Sequence, residues 1–183
     1  MAANHPLPHV WLLSDARNDA DLERSLAALP PGSGFVYRHY HLPPGERRVR
    51  YDALRSKARA LGHTVILAGT DAWPADGYYG SRPYGGAGLY LATAHDGDEI
   101  ERAVTSGADG IFLSPVFATA SHPGAPVLGA QGFHALAQRS PLPVIALGGM
   151  NAVRARQIDW PRWGAIDGLT AVSARAHTDG ATD

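Results

Sequence analysis

Eight short apolar runs recur along the chain, most of them separated by segments whose apolar residues fall at helical spacing. A strand covered on both faces reads as a near-continuous apolar run, and parallel neighbours need a long crossover, usually a helix. The runs are His9–Ser14, Phe35–Tyr40, Thr64–Ala68, Gly77–Gly80, Gly88–Thr93, Gly110–Leu113, Pro143–Leu147 and Asp167–Val172. Between them Asp19–Leu29, Arg48–Leu61, Asp98–Ser106, Gln131–Arg139 and Ala152–Ile158 read as helices, several opened by Asp or Asn near the N-cap. Eight strands joined this way predict an α/β fold, a (β/α)8 TIM barrel, with a doubly wound open sheet as the alternative. The stretch GTDAWPADGYYGSRPYGGAG, residues 69–88, is rich in Gly and Pro and lacks helical periodicity. The third and fourth crossover helices are therefore expected to be trimmed to loops. That suits a compact single domain of 183 residues, against the about 250 usual for this barrel.

Charge narrows the partners. Sixteen Lys and Arg nearly balance 17 Asp and Glu, so no basic face is expected for nucleic acid or an anionic membrane. The sequence contains no apolar run near the roughly 18 residues of a membrane span, and no signal pattern is recognised at the N-terminus. There is no cysteine, which excludes disulfides and thiolate metal sites. The expected partner is a small molecule, and the expected compartment is the cytoplasm.

The run VIALGGMN, Val144–Asn151, stops at two adjacent glycines just before a helix. In a barrel of this kind phosphate commonly sits between the loops after strands seven and eight. Bare backbones at Gly148 and Gly149 let N–H groups approach an anion, and the helix beginning near Asn151 points its positive end the same way. The partner loop is expected to be AVSA, where Val172 and Ser173 offer backbone and hydroxyl donors. The competing reading is that the glycines simply permit a tight turn.

The segment from Gly107 to Ala174 reads GADGIFLSPVFATASHPGAPVLGAQGF, continues through PLPVIALGGM and ends in AVSA. It resembles the thiamine phosphate synthase and thiazole tautomerase family, whose pattern runs GAD, GP-[IV]-F-x-T-x-[ST]-K, PLG, P-V-[VI]-A-I-GG-[IM] and VVSA. Upstream, HVWLLSDAR, VYRHY, ADGYYG and ATAHDGDEIERA are similar to the family's first, second, fourth and fifth strands. The resemblance implies a barrel of thiamine biosynthesis that binds thiazole phosphate or thiamine phosphate. It implies phosphate on Gly148, Gly149, Val172 and Ser173, with further substrate contacts from Thr119, Ser121, Gly129 and His95, and Arg38 in the catalytic set.

Several positions depart from the family pattern. Tyr40 stands where the second strand should carry Lys, and Ala68 and Gly69 replace the Asn-Asp whose Asp holds metal, leaving Asp71 as the nearest carboxylate. The YGSRP loop lacks the second Asp, and His122 replaces the diphosphate-binding Lys. The family uses Mg²⁺, but its ligands are not retained, so no metal is expected and synthase chemistry is doubtful. An ordinary histidine is mostly uncharged at pH 7, a poor diphosphate holder and a better general base. His122 is thus a catalytic candidate for a tautomerase-like isomerase, although Pro115 stands where that branch has its histidine. A non-catalytic regulatory barrel, and another sugar-phosphate enzyme, are the remaining readings.

Other residues read as structural. His39 and His41 alternate about Tyr40 and suggest a metal pair, but no third ligand stands at fixed spacing. Arg47, Arg48 and Arg50 read as a solvated helix start, and Trp73, Trp160 and Trp163 as packing anchors. A shortened crossover side leaves room for a partner subunit, so a homodimer is plausible.

Overall fold

The computed structural model describes residues 7–81, 86–120, 124 and 126–169. Its strands are β1 (Val10–Leu13), β2 (Gly34–Tyr37), β3 (Thr64–Ala68), β4 (Gly77–Tyr79), β5 (Leu89–Ala94), β6 (Gly110–Leu113), β7 (Val144–Ala146) and β8 (Trp163–Ala165). Each pairs in parallel with the next, and β8 returns to β1 through Val10↔Trp163 and Leu12↔Ala165. The closed barrel rules out the open sheet. Outside it lie α1 (Leu22–Ala28), α2 (Pro44–Ala60), α3 (Gly97–Thr105), α4 (Gly129–Ala137) and α5 (Ala152–Gln157). No helix among the described residues is long and apolar enough to cross a membrane.

Alternation along the strands divides the core in three. Trp11, Leu13, Val36, Ile66, Ala68, Leu91, Phe112 and Ile145 fill the barrel interior, while their neighbours Leu12, Phe35, Tyr37, Val65 and Leu67 face outward onto α1 and α2. The third cluster packs β5 to β8 against α3, α4 and α5 through Ile100, Ile111, Phe133 and Val144. Gly34 is required by this filling: a Cβ there would stand 2.1 Å from the Trp11 ring.

Between β3 and β4 no helix forms, and the described part of the β4–β5 crossover has none either. Side chains hold the first of these loops in place of helical hydrogen bonds. Tyr51 Oη donates to the Pro74 carbonyl at 2.7 Å, and Trp73 packs on Tyr51 with ring centroids 5.3 Å apart.

The eighth strand corrects the sequence expectation. It is Trp163–Ala165, and Asp167–Leu169 of the expected Asp167–Val172 run is a 3-10 turn, the rest of that run lying outside the described residues. Trp-Gly-Ala has weak strand character, but closure requires a segment that meets both neighbours, and Trp163 pairs with Val10 on one side and Ala146 on the other. Small residues fit there because Leu13 crowds the site, 3.0 Å from a Cβ built on Gly164. A second correction concerns Phe35–Tyr40. The strand stops at Tyr37, and His39, with φ of 40°, turns the chain away, so His39 and His41 do not alternate on one strand face.

Candidate active site

A cavity of about 980 Å³ is walled by residues at the C-terminal ends of the strands. Arg38 and Tyr40 enter it after β2, Tyr79 from β4, Thr93 and His95 from the end of β5, Pro115 and Thr119 after β6, and Gly148 and Gly149 after β7. Burial pushes the Tyr79 phenol up to about 12, so near neutral pH it is a hydrogen-bond donor. It bonds no group among the described residues.

The two glycines have a double reason. Their φ angles are 94° and 61°, a region that side chains disfavour. A Cβ would also meet Pro115 Cα at 2.7 Å from Gly148, and the Ala118 carbonyl at 2.4 Å from Gly149. Close approach of the loop after β6 is thus enough to demand glycine, and a β-branched residue at Gly149 would displace that loop. The carbonyls are occupied: Phe117 N–H donates to Gly148 O at 3.0 Å, and the Arg154 guanidinium to Gly149 O. The N–H groups of both glycines donate to nothing among the described residues. Successive N–H groups in such a turn form an anion-binding concavity.

Arg154 was not singled out in the sequence. It lies in the first turn of α5, its own N–H bound by the N-cap Asn151 Oδ1 at 2.9 Å, and its guanidinium stacks 4.9 Å from the Phe117 ring centre. It lines the cavity and has no carboxylate partner among the described residues. Arg17, also overlooked, lines the cavity too, paired with Asp15 at 2.9 Å and Asp167 at 3.1 Å. A basic residue three positions after an Asn N-cap at a phosphate-type turn was the available signal for Arg154. For Arg17 there was none.

Arg38 is clamped at each backbone group. Its N–H donates to Ser14 Oγ at 2.8 Å, its carbonyl accepts from Arg47 Nε at 3.0 Å, and its guanidinium pairs with Asp15 at 3.2 Å. Ser14 Oγ also meets His39 Nδ1 at 2.8 Å, and His39 Nε2 meets Asp19 Oδ1 at 2.8 Å. Burial lowers the His39 pKa, against the opposing pull of Asp19. The structure supplies the third metal-type group that sequence lacked, since ligand atoms of Asp19, His39 and His41 lie within 4.8 Å. Both His39 nitrogens are nevertheless engaged, and Arg50 Nε donates to the same Asp19 oxygen at 2.7 Å.

Arg47 is a further correction. It is buried, 7% exposed, not solvated: it pairs with Asp71 at 2.5 Å, donates to Ala68 O at 2.6 Å and lies 5.0 Å over the Trp73 ring. Arg48, by contrast, bridges to Asp52 on the surface. Trp73 and Trp160 are anchors, the latter donating to Val144 O at 2.9 Å. Gly129 opens α4 with φ of 63° and lies outside the cavity wall. Ser121, His122, Val172 and Ser173 lie outside the described residues.

The carboxylates test whether a divalent cation fits. Asp71 is committed to Arg47, and Asp76 to Arg59 and to Val65 N–H at the opposite barrel end. Among the described residues Asp167 is the one carboxylate in the cavity wall, and it is paired with Arg17.

Residues 87–173 match the family model described as thiamine monophosphate synthase. A thiamine-phosphate synthase of Chloroflexus aurantiacus is 38% identical over 95 residues, which is 51% of this chain and 43% of that protein. A putative thiamine-phosphate synthase 2 of Aquifex aeolicus is 40% identical over 58 residues, 32% of this chain and 31% of that one. The matched stretches span less than half the length of these curated relatives. Among solved structures, thiamine phosphate pyrophosphorylase from Pyrococcus furiosus superposes with a TM-score of 0.76 at 20% identity, over 93% of this chain and 91% of that one.

Proposed function

We propose that the chain is a relative of the thiamine phosphate synthases and that its cavity binds thiazole phosphate or thiamine phosphate. The observation that carries this reading is the Gly148–Gly149 turn. It lies inside the matched residues, lines the cavity and leaves two N–H groups for an anion. Arg154 supplies a cation beside them. The aromatic and apolar wall of Tyr79, Pro115, Leu128 and Leu147 suits a heteroaromatic ring.

The described residues do not fit Mg²⁺. A hard divalent cation needs several oxygen ligands with carboxylates among them, whereas this wall offers Arg17, Arg38 and Arg154 and one carboxylate already paired. The reading is therefore a thiazole-phosphate binder with weak or no synthase chemistry.

The test is calorimetric titration with thiazole phosphate, thiamine phosphate and glucose 6-phosphate, together with amide NMR. We expect the first two to bind and to move the Gly148 and Gly149 amide signals most. Equal binding of the sugar phosphate, or unmoved glycine amides, overturns the assignment.

A further inference from the structure

Past the end of β2 the turn at His39 brings His39 and His41 against Asp19, which stands in the 3-10 turn after β1. The His39 ring is buried and stacked on Tyr37, with centroids 4.7 Å apart and planes 17° from parallel, so packing sets its position. Its Nε2 edge meets Asp19 Oδ1 at 2.8 Å. An ionised carboxylate only accepts hydrogen bonds. Nε2 therefore carries the ring hydrogen, and Nδ1 accepts from the Ser14 hydroxyl at 2.8 Å. The exposed His41 ring lies 4.9 Å from that of His39 and bonds no group among the described residues. Asp19 gives Oδ1 to both His39 and Arg50, and its Oδ2 bonds no group among the described residues.

From this cluster we propose a transition-metal site of the class that takes Zn²⁺, with His39 Nε2, His41 and Asp19 as its ligands. It lies outside the cavity, whose wall includes none of the three, and it does not depend on the thiazole-phosphate reading. Two imidazoles and a carboxylate suit Zn²⁺ and suit Mg²⁺ poorly, since that ion takes oxygen ligands. Two atoms bound to one zinc stand at most about 4.2 Å apart. Here the three groups offer atoms within 4.8 Å of one another, and His39 and Asp19 are already at 2.8 Å. The closing movement falls to His41, whose exposed side chain can make it.

Charge favours a cation as well. Arg50 lies between Asp19 and Glu23, so two carboxylates face one guanidinium. The Arg50 bond to Oδ1 also orients the carboxylate with Oδ2 left for the ion, as hydrogen bonds from beyond a metal's ligands commonly do. The ion replaces the hydrogen between His39 and Asp19. Nε2 then gives its lone pair to the metal, the ring hydrogen sits on Nδ1 and donates to Ser14 Oγ, and water fills the fourth position. Ser14 can take either part, because a hydroxyl both donates and accepts. The His39 tautomer therefore reverses on loading.

Untagged wild type, His41→Ala and Asp19→Asn, stripped with EDTA and dialysed, are titrated with Zn²⁺ and with Mg²⁺ by calorimetry. Circular dichroism checks the fold of each variant, and ¹⁵N–¹H correlation reads the His39 tautomer. Asp19→Asn keeps an oxygen for both hydrogen bonds and removes the charge, and His41→Ala alters an exposed side chain. We expect one Zn²⁺ per chain in wild type, binding at least about tenfold weaker in either variant, no competition from equal Mg²⁺, and passage of His39 from Nε2–H to Nδ1–H. Absence of Zn²⁺ binding by wild type, undiminished binding in His41→Ala, displacement by equal Mg²⁺, or an unchanged His39 tautomer with Zn²⁺ bound overturns the proposal.

Discussion

At the scale of residues, Arg47 shows how one side chain can hold a site together from outside it. Its guanidinium bonds the carbonyls of Arg38 and Ala68 and the Asp71 carboxylate, tying together the ends of β2 and β3. Removing it strands two carbonyls in a buried place, whereas Asp71 is 43% exposed and can rely on water. We expect Arg47→Ala to cost about 2–4 kcal/mol and Asp71→Asn under about 1 kcal/mol, read from urea unfolding midpoints. Equal losses would show that the ion pair, not the carbonyl clamp, carries the stability. The spacing of Arg47, Tyr51, Leu54 and Ala58, all buried on α2, was visible in the sequence. Charge had placed Arg47 on the outside, but the stripe placed it inside.

At the scale of elements, the turn from β7 into α5 depends on its cap. α5 is six residues long, too short to persist without tertiary contacts, and Asn151 Oδ1 satisfies the Arg154 N–H that begins it. Asn151→Ala should cost about 1 kcal/mol and lower Tm by about 2–4 °C, with weaker thiazole phosphate binding because Arg154 loses its anchor. Scanning calorimetry and titration on the same variant check both, and an unchanged affinity would remove Arg154 from the anion site. The trimmed crossovers were legible because Pro and Gly exclude a helix there. The position of β8 was not, because pairing across a closed barrel outweighs the local preference of Trp-Gly-Ala.

At the scale of the whole molecule, the cavity's charge balance sets which reaction it can support. Ionising a diphosphate ester builds negative charge that must be met as it forms, and one lost contact of that kind costs about 2.7–4 kcal/mol. Of the cations here, Arg38 is already shared with Asp15 and Arg17 with Asp15 and Asp167, and the wall lacks a free carboxylate pair among the described residues. We expect no efficient formation of thiamine phosphate from the pyrimidine diphosphate and thiazole phosphate with Mg²⁺, followed by fluorescence after oxidation. Turnover near about one per second, ordinary for enzymes, would overturn this.

The sequence by itself determined the strand and helix alternation of a barrel for seven of the eight strands, because apolar runs, helical stripes and glycine turns are local signals that burial and backbone freedom write directly into residue order, whereas closure through Trp163–Ala165 was decided by tertiary pairing. The chain also named Arg38, Gly148 and Gly149, which line the cavity. Only tertiary structure decided that Arg17 and Arg154 join them, that Asp71 is taken by Arg47, and that Glu99 Oε2 lies against His95 Nδ1. Those are pairings between groups brought together by strand order and helix docking, and the direction of a side chain across a cavity has no period along the chain.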